Sequence, residues 1–244
     1  MTRMQLLRGV AILLGTVALV PAAHAAANDE ADLRRAFATF IDAKQMRMDV
    51  VPDIYPGGYA RISIQVKRAN LGGMLVDEAW FRLVGVSLDP AALARGELRI
   101  LEMRDSSMHV KASIKSLEEY FQRDDGIKDV KLWSDGDYVY CRGTVPLAGV
   151  STRVYLKGFF AVGGTKEVYF YIDDLRVNGL PMFSPLVRKW ESDINPVFSQ
   201  TLWPVTFKIR ALKMTKEWFI VSSQPNLSSP CAFCTGGESP NVAP

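Results

Sequence analysis

Between residues 58 and 88 the sequence alternates with a period of two, a pattern that fits the two faces of a strand and not the stripe of a helix. Ala60, Ile62, Ile64 and Val66 share one parity, and Arg61, Ser63, Gln65 and Lys67 take the other. This is the signature of a strand with one buried and one wet face. Asn70-Leu71-Gly72-Gly73 makes a turn. The run from Met74 to Leu88 then differs, because Trp80, Val84, Val86 and Leu88 alternate with Phe81 and Leu83. A strand apolar on both parities is expected to be covered on both sides, by protein or by ligand.

The same reading extends along the chain. Strands are expected at Leu98–Met103 and Met108–Ile114, then a short helix opened by Ser116 with Glu119 three residues on, a capping-box spacing. Val130–Ser134 and Tyr138–Val145 form a hairpin about Asp135-Gly136, and Thr152–Val162 and Glu167–Val177 form another about Gly163-Gly164. The apolar parity slips at Asp173-Asp174, which predicts a β-bulge. Ser184-Pro185 starts a helix with Leu186, Val187, Trp190 and Ile194 on one stripe, and Asn195-Pro196 ends or kinks it. Thr206–Met214 and Trp218–Ser222 read as closing strands. Upstream, Leu33, Ala36, Phe37, Phe40 and Ile41 follow helical spacing, with Asn28 or Asp29 as cap. Short connections favour antiparallel pairing. The expected fold is α+β: a long, curved, mostly antiparallel sheet wrapped on amphipathic helices, one domain over residues 26–223. Residues 224–244 are rich in Ser, Pro, Gly and Asn and are expected to be disordered.

The N-terminus carries an address. Arg3 and Arg8 precede an apolar run from Val10 to Val20, and Pro21 and Ala23-His24-Ala25 follow it. A basic start, an apolar centre and a small-residue exit make a secretory signal peptide over residues 1–25. The run is short for a bilayer span of about 20 residues. The protein is therefore expected in the periplasm or outside the cell. Removing Arg3 and Arg8 takes the net charge from +3 to +1. With no long basic run, nucleic acid is not an expected partner.

Chemistry-bearing patterns are sparse. Cys231-Ala-Phe-Cys234 lies outside any strand-to-helix context, so in an oxidising compartment it reads as a small-loop disulfide. A metal site at that pair would need two more ligands, and none is near in sequence, so no metal is expected. Cys141, inside a strand pattern, reads as a buried thiol. Beyond the signal there is one histidine, His109, which reads as structural or surface. The carboxylate pairs Asp124-Asp125, Asp135/Asp137 and Asp173-Asp174 sit where turns, helix ends or a bulge account for them. No Walker loop, G-x-G-x-x-G, G-x-S-x-G or EF-hand pattern occurs. The chain is expected not to be an enzyme, and no cofactor is implied.

Several linked features resemble the LmeA-like family of exported bacterial phospholipid-binding proteins. They are Leu71-Gly72-Gly73 before a long strand, the Ile114-Lys115-Ser116-Leu117 helix entry, and Leu175-Arg176-Val177-Asn178-Gly179-Leu180-Pro181. The following helix with Asn195-Pro196 and the Pro204-Val205-Thr206 strand continue the match, which spans roughly residues 30–222. The resemblance implies phospholipid binding by a curved sheet packed on helices, as in tubular lipid-binding folds, with no catalytic motif. On this reading an apolar groove holds a phospholipid or similar amphiphile, with possible transient membrane contact. Its candidate lining is Trp80, Leu83, Val84, Phe160, Phe170, Trp190 and Ile194. Two other readings stay open: an envelope protein-interaction module that holds no lipid, and a lipid or glycan hydrolase working through a carboxylate pair.

Overall fold

The computed structural model describes residues 22–55, 57–71, 74–122, 128–147, 150–200 and 203–234. Residues 1–21 of the expected signal, the Gly72-Gly73 turn and the Asp124-Asp125 pair lie outside them. The elements in order are α1 (Ala22–Phe37), β1 (Ile41–Pro52), β2 (Gly58–Leu71), β3 (Met74–Leu88), α2 (Pro90–Ala94), β4 (Ile100–Ser113), α3 (Ile114–Gln122), β5 (Lys128–Ser134), β6 (Val139–Leu147), β7 (Val150–Gly163), β8 (Glu167–Val177), β9 (Leu180–Pro181), α4 (Ser184–Ile194), β10 (Phe198–Ser199), β11 (Ala211–Met214) and β12 (Trp218–Ser222). Strand residues far outnumber helical ones, and the protein is β-rich and α+β. The described strands pair antiparallel and form two sheets where a single long one was expected. The first runs β1-β2-β3-β4-β12-β11, and the second β10-β8-β7-β6-β5 with β9 on β8.

β3 is the spine of the first sheet, paired along its length to β2 and β4. Its buried positions are Met74, Val76, Ala79, Phe81, Leu83, Val86 and Leu88. The buried parity thus switches twice, between Val76 and Ala79 and between Leu83 and Val86, the second time at Gly85, whose φ of 59° suits a residue without Cβ. The apolarity read on both parities is largely one buried parity giving way to the other. Trp80, Arg82 and Val84 are half-buried on the parity opposite Phe81 and Leu83.

Four sequence expectations change. The N-terminal helix stops at Phe37, where Thr39 Oγ1 donates to Ala36 O, and Ile41 opens β1 instead of continuing the helix. Met46, Met48 and Val50 alternate with Arg47 and Asp49, and the free edge of β2 satisfies the backbone of β1. The two strands expected over 98–114 are one, β4, because its polar middle pairs with β3 without needing burial. The short α2 was not foreseen; Asp89 caps it by accepting from Ala91 N and Ala92 N, with Pro90 in its first turn. Helix α3 starts earlier than read from Ser116, and Ser113 Oγ accepts from Ser116 N. The expected bulge is present: Lys157 faces Asp174 and Gly158 faces Ile172, leaving Asp173 without a partner in the register.

Helix α4 sets Val187 and Trp190 on the small cluster of Val145, Val154 and Leu175 in the second sheet. It also satisfies the β8 edge through side chains. Glu191 Oε1 accepts from Ile172 N at 2.7 Å. Asn195 accepts from Phe170 N at 2.6 Å and donates to Phe170 O at 2.8 Å. Past Pro196 the chain itself joins β8 as β10.

The expected strand over 206–214 is paired only as β11. Its first half covers the core with Val205, Phe207 and Ile209 buried, and Phe81 meets Phe207 at 5.2 Å between ring centroids. A non-strand segment in a core must satisfy its backbone some other way. The buried Gln200 does this, accepting from Phe207 N at 2.7 Å and donating to Phe207 O at 3.0 Å. Gln200→Ala orphans two buried backbone groups at about 1–3 kcal/mol each. We expect a loss of about 3 kcal/mol in urea unfolding, and a change below about 0.5 kcal/mol would contradict this account of the core.

Candidate functional site

The seven residues expected to line a groove do not gather in one. Leu83 is fully buried in the core, and Trp80 and Val84 lie on the opposite parity of the same strand. Phe160 and Phe170 pack on each other at 4.9 Å, and Phe160 reaches Phe219 of the first sheet at 4.7 Å. Trp190 and Ile194 belong to α4, where Trp190 packs on the second sheet and Ile194 on the main core. Leu83 and Phe170 are buried, and Phe160 borders an open cavity.

That cavity is a cleft of about 700 Å³ where β11, the edge of the first sheet, meets β6 and β7 of the second. Val139, Phe159, Phe160, Leu212 and Met214 give it an apolar lining, and Asp137, Tyr138 and Lys213 give it polar groups. Its size falls within the range of small-molecule sites. Sequence reading missed Phe159, Leu212 and Met214. Each carried an ordinary strand signal, and only the meeting of the two sheets makes them neighbours.

A second cluster lies on the outer side of the first sheet. Trp80, His109 and Ser222 sit side by side across β3, β4 and β12, with the Trp80 and His109 rings edge to face at 5.7 Å. Trp80 Nε1 is enclosed and has no hydrogen-bond partner among the described residues. The chain after β12 does not run off as the expected disordered tail within the described residues. Gln224 Nε2 donates to Asn226 O, Ser229 O and Pro230 O, and its Oε1 accepts from Ala232 N. This fold-back carries Cys231 and Cys234, which are joined in a disulfide. A ring nitrogen of His109 and the two sulfurs all lie within 4.8 Å of one another. The sequence separation of His109 from the pair hid this third ligand-type group. Burial, and then the charge of Lys111, hold the His109 imidazole below its ordinary pKa. Cys141 stands apart: burial first, then the Glu118 carboxylate, push its thiol up to about 11, which marks an unreactive thiol.

The outer side of the second sheet carries rings and cations. Trp133 stacks on Tyr140 at 5.4 Å and Phe159 on Tyr171 at 5.6 Å. Lys157 Nζ lies 3.7 Å from the Tyr138 ring centroid. Three of the described carboxylates of the sequence pairs, Asp135, Asp173 and Asp174, are engaged structurally. Asp135 accepts from Tyr138 N and Asp137 N, and its hydrogen bond from Tyr140 OH does most to lower its pKa to about 2. Asp173 pairs with Lys157 and Asp174 with Arg176.

Fold and cavities together define a two-sheet, β-rich α+β protein with a cleft at the junction of its sheets. No protein family matches the sequence, and no curated protein or solved structure matches the chain. The electrostatics of the outer cluster are testable by themselves. We expect NMR to place the His109 titration below its model-peptide value of about 6.5, and Lys111→Met to raise it. The stability that His109 contributes is then full above the unfolded value and is lost as the pH falls through the folded one. A midpoint above 6.5 would contradict the assignment.

Proposed function

We propose that the protein is an exported binder of an amphiphile, a phospholipid or a molecule of similar build, held in the cleft between the two sheets. The observation that carries this reading is the apolar lining of that cleft by Phe159, Phe160, Leu212 and Met214, bordered by Tyr138 and Lys213. An acyl chain gains about 0.8 kcal/mol per CH₂ taken out of water, so such a lining supplies affinity without chemistry. Lys213 offers a cation to an anionic head group. The secretory signal and the resemblance to LmeA-like proteins favour a lipid ligand in the envelope. Exposed Ile54 and Tyr55, at the turn between β1 and β2, offer a point of transient membrane contact.

The test is lipid retention and binding. Native mass spectrometry of the purified protein, with thermal stabilisation by added phospholipid, should show one bound amphiphile. Phe159→Asp places a charge in the cleft from an already exposed position and should weaken binding roughly tenfold or more, about 1.4 kcal/mol. Val84→Ser, on the outer side of the first sheet, should leave binding unchanged. Protein that carries no lipid and gains no stability from it would end this reading.

The reading as an interaction module keeps a specific observation of its own, the ring-and-cation surface of the second sheet formed by Trp133, Tyr140, Phe159 and Tyr171. A stoichiometric partner lost in Trp133→Ala, with lipid binding absent, would favour it.

A further inference from the structure

We propose that His109, Cys231 and Cys234 form a redox-gated binding site for one thiophilic d¹⁰ metal ion, open when the disulfide is reduced. The two sulfurs and a His109 ring nitrogen already lie within 4.8 Å of one another. Two thiolates and an imidazole are the donors that select Cu(I) and Zn(II) among common ions. Among the described residues this group supplies three ligands, which suits three-coordinate Cu(I); Zn(II) would add a water as its fourth.

A purely structural role accounts poorly for the position of the pair. A disulfide between residues three apart closes one of the shortest possible loops, and the stabilisation from loop closure falls as the loop shortens. The fold-back is already held by the four hydrogen bonds of Gln224. Stability alone therefore does not require the cysteines, nor their placement beside His109.

The surroundings supply the support that a ligating histidine needs. His109 Nδ1 lies 3.1 Å from Ser222 Oγ. Ser222 Oγ accepts from Gln224 N at 3.0 Å and reaches Met108 O at 3.4 Å. With its hydrogen on Met108 O, the hydroxyl accepts from Nδ1–H, which leaves the imidazole lone pair on Nε2. Fixing the tautomer through the second ring nitrogen is the usual device at metal-bound histidines. Gln224 thus ties Ser222, and through it His109, to the loop that carries the sulfurs.

A thiol reductant delivers two electrons and two protons to the Cys231–Cys234 bond, giving two thiols, and leaves as its own disulfide. Metal binding then forms two metal–sulfur bonds and one metal–nitrogen bond, and both thiol protons pass to solvent.

The full chain, reduced anaerobically with a phosphine and freed of it, should bind one equivalent of Cu(I) or Zn(II) in competition with a chromophoric chelator. Parallel titrations identify which ion is preferred. The oxidised protein should bind neither. Cys231→Ser should abolish binding, Cys141→Ser should retain it, and His109→Ala should weaken it at least tenfold with unchanged circular dichroism. Should His109→Ala fail to fold, ring-nitrogen NMR of the wild type gives the same answer, because metal addition must shift the His109 signals. Absence of binding by the reduced protein, equal binding by oxidised protein, or His109 signals that do not move on metal addition would overturn the proposal.

Discussion

The architecture depends on how the buried side of the first sheet is covered. β3 and its neighbours present a row of large apolar groups, and helix α1 covers only part of it with Leu33, Ala36 and Phe37. The chain covers more with Val205, Phe207 and Ile209 from a segment that pairs with no strand. That solution works only because Gln200 satisfies both backbone groups of Phe207 inside the core. Burying the side chain and satisfying the backbone are one constraint here, since an orphaned amide would offset much of the gain from burying a ring.

The same covering segment joins the two sheets. It leads from β10, on the edge of β8, into β11 at the edge of the first sheet, and Ile209 N donates to Thr165 O in the turn between β7 and β8. The Phe160–Phe219 contact continues the core from one sheet to the other. The cleft opens along this junction because β11 is only four residues long and leaves the neighbouring β7 surface uncovered at Phe159. The packing that stabilises the fold thus also creates the cleft in which we propose an amphiphile is held.

The two outer surfaces are chemically unlike. On the second sheet, rings and cations lie side by side, with Lys157 spent on Asp173 and Tyr138 and Arg176 on Asp174 and Tyr155. On the first sheet, the segment from Gln224 to Cys234 folds back and brings sulfur to imidazole. On the proposed readings, the cleft at the sheet junction and the separate soft-donor cluster carry two distinct chemistries, and neither requires the other.

The sequence by itself determined the local structure wherever period and punctuation agreed. β3 and β12 begin and end where the alternation does. The first hairpin of the second sheet turns at Asp135-Gly136, the second turns over residues 164–166 with Gly163 still paired in β7, and the slip at Asp173-Asp174 is a bulge. Local reading failed where a neighbour decided the outcome. Ile41 to Pro52 is a strand because β2 offers an edge, and residues 206–210 leave their strand pattern because the core needs covering. At the candidate sites, alternation marked Phe160 as apolar but could not distinguish core from cleft. His109 and the cysteine pair were visible as residues and not as neighbours. Side-chain periodicity reports which face a residue takes, whereas contact between faces depends on how sheets meet in space, and only the tertiary structure decided that.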